Sequence, residues 1–302
     1  LGVSLQAARG IGAFCRLSSA YLFRVIGEEI MSTNSLTYTA DRAEQLASGY
    51  QRVVERIRAA EQDTSGARSA QSETVQLVTV TKFFPASDVM ALYDAGVRLF
   101  GENRDQEAAP KAALVSESVP FHDPARWAFI GQLQTNKAKS VVRYAQQVQS
   151  VDRPSLADAL AKAYARQVER FETEQAPAPA AYKVGKLECL IQVSLAQGQA
   201  TAGHASTGAR GGADPEQVLA LAEHIENYEQ LHCAGVMAVA PLGSEPDMVF
   251  EKLWNISQIL RESFPQATQI SAGMSGDLEA AIRWGSTCVR VGSDIMGPRP
   301  SA

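Results

Sequence analysis

Eight short apolar runs, separated from one another by segments of helical periodicity, recur from Val75 to Ile295. No other feature of the sequence restricts the fold so tightly. The runs are VQLVTVTK (75–82), VRLFGEN (97–103), WAFIG (127–131), QQVQSVD (146–152), LECLIQVSL (187–195), HCAGVMAVA (232–240), TQISAGMSG (268–276) and TCVRVGSDI (287–295). Strands apolar on both faces and separated by helices are the pattern of a parallel sheet, because the helices must cover it. Eight such units predict a single closed (β/α)8 barrel, an α/β fold. A doubly wound open sheet is the competitor, but its glycine-rich first turn is absent: the first strand runs into TKFFP.

The intervening segments agree. ADRAEQLASGYQRVVERIRAAE places apolar residues at helical spacing ahead of the first strand. SDVMALYDAG offers Ser87 as an N-cap and Gly96 as a stop. In QEAAPKAALV, Pro110 is expected to break or delay the helix. TEQAPAPAAYKVGK (173–186) reads as an exposed excursion, and 196–214 as a loose Gly- and Ala-rich loop. Residues 1–30 carry Arg9, Arg16 and Arg24 with no acid before Glu28. They are read as an upstream extension outside the fold, with a transit peptide as the alternative, and 31–302 as the barrel.

Net charge is −5 and no basic stripe is visible, which argues against non-specific nucleic-acid binding. No apolar run is long enough to span a bilayer. Cys15, Cys189, Cys233 and Cys288 lack metal-ligand spacing. Three of them sit in strand-like runs, as buried free thiols of a reducing cytoplasm would. His122, His204, His224 and His232 are scattered and read as structural or solvated.

Chemistry in such barrels is built at the carboxyl ends of the strands. Those ends supply Lys82, Asn103, Gly131, Asp152, Ser194, Ala240, Met274-Ser275-Gly276 and Arg290-Val291-Gly292-Ser293. Each has a plain structural explanation. A strand-end lysine is commonly a snorkelling surface charge. Ser275 in GMSGD is as readily the cap of its own helix. Two Gly-Ser turns on neighbouring strands beside a single lysine favour a phosphate cradle instead. A lysine amine with a phosphate cradle suggests pyridoxal 5′-phosphate, whose aldehyde forms a Schiff base with a partly desolvated lysine. Phe83 and Phe84 would supply the desolvation.

VTVTKFFP, DAGVRLFGENRDQE, WAFIGQLQTNK, SVDR, GVMAVAP, SAGMSGDLEAAI and VRVGS, in this order, resemble the YggS/PROSC family of pyridoxal-phosphate-binding homeostasis proteins over roughly residues 40–298. The resemblance implies a barrel of the alanine racemase N-terminal-domain type without that enzyme's second domain. It implies Lys82 as the Schiff-base lysine, and Ser275, Gly276, Gly292 and Ser293 around the phosphate. Arg290 would lie against the pyridine nitrogen, Asn103 near the ring and its 3′-hydroxyl, and Met274 beside the cofactor. Gln132, Asn136 and Lys137 would line the rim. The Ser-Lys-x-Gly element after the fifth strand is replaced by an expanded loop with Arg210-Gly211-Gly212. The implied role is a cytoplasmic, monomeric carrier in pyridoxal phosphate (vitamin B6) and amino-acid homeostasis, with PLP-dependent apo-enzymes as partners and no strong catalysis. An arginine cannot keep the ring nitrogen protonated as a carboxylate would. The alternatives are a low-activity amino-acid racemase, and a barrel that binds another phosphorylated metabolite.

Overall fold

The computed structural model describes residues 36–63, 65–68, 74–195 and 211–299. The 1–30 extension, Cys15, His204, Arg210 and most of the 196–214 loop lie outside the described residues. Helix α1 (Ala40–Glu61) begins at Thr39, whose hydroxyl accepts from the Arg42 amide at 3.2 Å. Its buried face carries Leu46, Val53 and Ile57 at helical spacing and closes the barrel from outside. Then follow β1 (Gln76–Val80), α2 (Ala86–Asp94), β2 (Leu99–Glu102), α3 (Asp105–Ser118), β3 (Arg126–Phe129), α4 (Ala138–Tyr144), β4 (Gln147–Val151) and α5 (Pro154–Glu172). The second half holds β5 (Leu187–Gln192), α6 (Val218–Glu226), β6 (Leu231–Met237), α7 (Pro246–Ser263), β7 (Gln269–Ser271), α8 (Leu278–Arg283), β8 (Cys288–Val291) and α9 (Ser293–Met296).

All eight strands are parallel and close into a barrel in sequence order, β8 pairing back onto β1 with Val78 opposite Arg290. The main core lies between strands and helices, where Phe100, Phe129, Leu156, Leu160 and Phe250 are fully buried. Inside the barrel are two smaller apolar clusters. One joins Val78, Val80, Ala128 and Cys288; the other joins Leu190, Ala234 and Met237.

Two local expectations need correcting. Ser87 is not the cap of α2: Pro85 holds that position, and Ser87 is buried within the helix. Proline's fixed φ suits a helix start, so the entry falls two residues earlier. Gly96 does end the helix, at φ +98. Pro110 neither breaks nor delays α3, which runs from Asp105 to Ser118. The proline removes one hydrogen bond, while Ala108, Ala112 and Val115 hold the helix to the core. The 173–186 excursion is largely exposed, as expected, and is anchored at its middle: the Ala180 amide donates to the Val142 carbonyl at 3.1 Å, and Ala181 is fully buried.

The last two strands are shorter than expected. β7 stops at Ser271 and β8 at Val291, so Met274-Ser275-Gly276 and Gly292-Ser293 leave the ladder as turns. That shortening opens the carboxyl end of the barrel at the two adjacent strands.

Candidate functional site

The eight residues singled out from the sequence come together. Lys82, Asn103, Met274, Ser275, Gly276, Arg290, Gly292 and Ser293 all line one cavity of about 650 Å³ at the carboxyl ends of the strands. Val80, Phe83, Phe84, Ile130, Gly131, Gln192, Met237 and Val239 complete much of its wall.

Lys82 stands two residues beyond β1, in a turn closed by the Phe84 amide donating to the Thr81 carbonyl at 3.1 Å. The third residue of that turn, Phe83, has φ +71, which is the sense required at that position of a type II turn and is usually met by glycine. A bulky residue held there stores of order 1 kcal/mol or more, and such strain concentrates at functional sites. The Phe83 amide donates to Glu107 Oε2 at 3.2 Å. Thr81, before the lysine, is fixed on both sides. Its hydroxyl donates to Glu102 Oε1 at 2.7 Å, and its carbonyl accepts from Lys111 Nζ at 2.9 Å. Lys111 also donates to Glu102 Oε1 at 2.5 Å. Burial pushes the Glu102 carboxyl above its ordinary range, with the Lys111 ammonium opposing the shift. Lys82 therefore projects from a backbone clamped before it and strained after it.

The β7–β8 corner is built from small residues and backbone. Ser275 does not cap a helix. Its hydroxyl meets that of Ser293 at 2.9 Å, and Asp277 Oδ1 accepts from the Met274 amide at 2.6 Å. Among the described residues, the amides of Ser275, Gly276 and Ser293 have no backbone acceptor. A Cβ on Gly276 would meet nothing, and one on Gly292 would lie 3.1 Å from the Val80 carbonyl oxygen. The helices that follow, α8 and α9, have six and four residues. Attraction for an anion there rests on free amides and hydroxyls more than on a helix dipole. From outside the barrel Arg56 of α1 ties the two loops together, reaching Glu279 Oε1 at 2.7 Å, Asp294 Oδ2 at 2.6 Å and the Ser275 carbonyl at 3.0 Å.

Asn103 follows β2, and its Oδ1 is buried with no hydrogen-bond partner among the described residues. An acceptor left open in a cavity wall suits a ligand that brings a donor. Gly131 allows the close approach on that side, since a Cβ there would lie 2.0 Å from the Asn103 carbonyl oxygen. Arg290 is 4% exposed, donating to Ser271 Oγ at 2.5 Å and to the Ala238 carbonyl at 2.8 Å. Burial pulls its guanidinium below the usual arginine value.

Of the expected rim residues, Gln132 lines this cavity and also a second, outer one of about 920 Å³. Lys137 lines only the outer one and pairs with Asp105 at 3.7 Å; Asn136 lines neither. Asp152 lies in the outer cavity, whereas Ser194 and Ala240 line neither. Gly211, returning from the expanded loop, reaches the wall and accepts from the Gln192 side chain. Arg299 also lines the mouth, its guanidinium carbon 4.7 Å from the Phe83 ring centroid. Sequence reasoning missed Glu102, Lys111, Arg56 and Arg299. Glu102 alone left a trace, an acid ending an apolar run. Cys189, Cys233 and Cys288 are buried free thiols, pushed up by burial, Cys233 to about 12. His224 contacts Asp158 and His232 contacts Glu226, both outside the cavity. No helix among the described residues is long and apolar enough to cross a membrane.

The sequence model of the family described as alanine racemase, N-terminal domain, matches residues 67–300. A relative from Corynebacterium glutamicum named pyridoxal phosphate homeostasis protein is 40% identical over 229 residues, covering 76% of this chain and 92% of its own. One of the same name from Mycobacterium leprae is 34% identical over 262 residues, covering 85% and 94%. Among solved structures, PipY of Synechococcus elongatus with PLP bound is similar at a TM-score of 0.61 and 29% identity, over 85% of this chain and 100% of PipY.

Proposed function

The chain belongs to the alanine racemase N-terminal domain family, among the pyridoxal phosphate homeostasis proteins, and from that premise we propose that it is a carrier of pyridoxal 5′-phosphate. The observation that carries the reading is the meeting of Lys82 and the two Gly-Ser turns around one cavity. The relatives' name and the PLP-bound PipY structure support the same ligand. The residues present fit the group. The free amides and hydroxyls of Ser275, Gly276 and Ser293, with Gly292, would hold the phosphate. Asn103 Oδ1 would accept a hydrogen bond from a ring hydroxyl. Arg290 would face the ring nitrogen and Met274 would pack on the ring.

When bound, the cofactor supplies an aldehyde that condenses reversibly with an amine. Lys82 would present that amine, fixed by the Thr81 clamp and by the turn at Phe83. Phe83 and Phe84 would exclude water beside it. Arg290 would leave the ring nitrogen without a proton acceptor, which suits holding the cofactor more than using it as an electron sink. Racemisation needs a second base on the opposite face of the substrate. Among the described residues no tyrosine lines the cavity; Tyr93, Tyr144 and Tyr164 lie buried on helices. This supports a carrier without strong catalysis, acting in a reducing cytoplasm where the buried thiols persist, and passing cofactor to PLP-dependent apo-enzymes.

The test is the visible absorbance of purified protein with added pyridoxal phosphate. Wild type is expected to turn yellow, and Lys82→Ala to lose the band and bind at least about tenfold more weakly. An unchanged band in the variant would remove Lys82 as the anchor. Lys82-dependent exchange of an amino acid's α-hydrogen in heavy water would replace the carrier reading with the racemase.

A further inference from the structure

The interior of a (β/α)8 barrel is ordinarily filled by branched apolar side chains. Here a column of polar groups crosses it. Gln147 and Gln149 project from β4, Glu188 from β5, Gln269 and Ser271 from β7, and Arg290 from β8. Strand order places β4 opposite the β7–β8 pair, so the column divides the interior into its two apolar clusters. It climbs from the strand starts, where Glu188 and Gln269 are half-buried, to Arg290 in the cavity wall.

Every link donates in the same sense. Arg290 Nη1 donates to Ser271 Oγ at 2.5 Å, and Ser271 Oγ donates to Gln149 Oε1 at 2.7 Å. Gln149 Nε2 donates to Gln147 Oε1 at 2.5 Å. Gln147 Nε2 then donates to Glu188 Oε2 at 2.9 Å and to Gln269 Oε1 at 2.8 Å. The chain starts on a buried cation and ends on a carboxylate. Neither Arg290 nor Glu188 has an ion-pair partner within 4.0 Å among the described residues. A buried charge without a direct counter-ion is costly, and aligned dipoles that polarise one another are the available compensation. An uncharged interior of the same volume would be the simpler core. The arrangement fixes the one group whose direction matters to the cavity.

We propose that Ser271 and Gln149 are positioning residues that lock the Arg290 guanidinium in one orientation, through a column that terminates on Glu188 at the opposite end of the barrel. The functional half rests on the proposed cofactor binding: an oriented guanidinium is what would meet the ring. Gln149 does not line the cavity, so its effect on a ligand must pass through Arg290.

The experiment uses the full chain labelled with ¹⁵N-arginine, without cofactor. A guanidinium held by two fixed acceptors rotates slowly and gives separate Nη–H resonances, assigned to Arg290 by their loss in Arg290→Lys. Gln149→Met is expected to merge or broaden them, while Leu190→Ala, a core truncation off the column, leaves them in place. Should Gln149→Met fail to fold, Ser271→Ala removes the same contact from the arginine side. Resonances unchanged in the folded column variant overturn the proposal. Titration with pyridoxal phosphate forms the second arm, with an expected loss of affinity of about tenfold in Gln149→Met. Lost resonances with unchanged affinity overturn the functional half. Absence of binding in wild type instead overturns the proposed function, and the resonances still decide whether the column positions Arg290.

Discussion

Two corners of the cavity are each clamped by a cation from an outer helix, and the clamps differ in burial. Lys111 of α3 holds the lysine corner, joining Glu102 and the Thr81 carbonyl, with side chains only 7% and 0% exposed. Arg56 of α1 holds the β7–β8 corner, joining Glu279, Asp294 and the Ser275 carbonyl, with side chains 35%, 45% and 35% exposed. The contacts are alike in kind. In water a charge pair gains little; in the interior, loss of one partner strands the other. The first corner is therefore part of the fold's stability, and the second an adjustable brace on the proposed phosphate cradle.

The sharpest way to break the comparison is Lys111→Met. It leaves Glu102 buried without its cation and is expected to destabilise by about 3–5 kcal/mol. Tm should fall on the order of 10 °C. A carboxyl raised by burial contributes stability below its unfolded value and loses it as pH rises through its folded value. Glu102 loses the group that opposes its rise, so the calorimetric deficit should be smaller at about pH 5 than at about pH 8. A deficit independent of pH would mean that Glu102 carries the same charge in the variant as in wild type.

Arg56→Met should separate stability from binding. The expected stability cost is about 1 kcal/mol or less, because the network is half in water. Pyridoxal phosphate affinity is expected to weaken about fivefold as the Ser275 loop loosens, measured by absorbance titration. Raising salt toward about 1 M should shrink the difference from wild type, since exposed pairs are screened. The same salt should leave the Lys111→Met deficit in place; equal salt sensitivity of the two would erase the distinction between the corners.

The smallest expected effect is that of Phe83→Gly. Relief of the left-handed strain offsets glycine's extra chain entropy, roughly 1 kcal/mol against 0.5–1 kcal/mol. Global stability should stay within about 1 kcal/mol of wild type, read by denaturant unfolding. Affinity should fall, because the turn carrying Lys82 loses its rigid residue and its ring. Wild-type affinity in this variant would show that the Thr81 clamp alone places the lysine.

The architecture and the lysine were legible because both are written locally. Apolar runs of strand length alternating with helical periods fix a parallel sheet, and eight of them close it. Ser275, Gly276, Gly292 and Ser293 were legible because turns need small residues in adjacent positions. Ser87 and Pro110 were misread where a local propensity met a tertiary constraint: Pro85 set the helix entry, and buried alanines carried α3 through its proline.

The sequence by itself determined the order of strands and helices, and with it which residues reach the carboxyl end of the barrel. Only the tertiary structure decided that Lys111 and Arg56, from helices on the outside, brace the two corners. It also decided that Gln147, Gln149, Glu188 and Ser271 line up behind Arg290 in one sense. Those contacts join residues up to 238 positions apart. Periodicity records which face a side chain takes, not which distant partner the closing of the barrel sets against it.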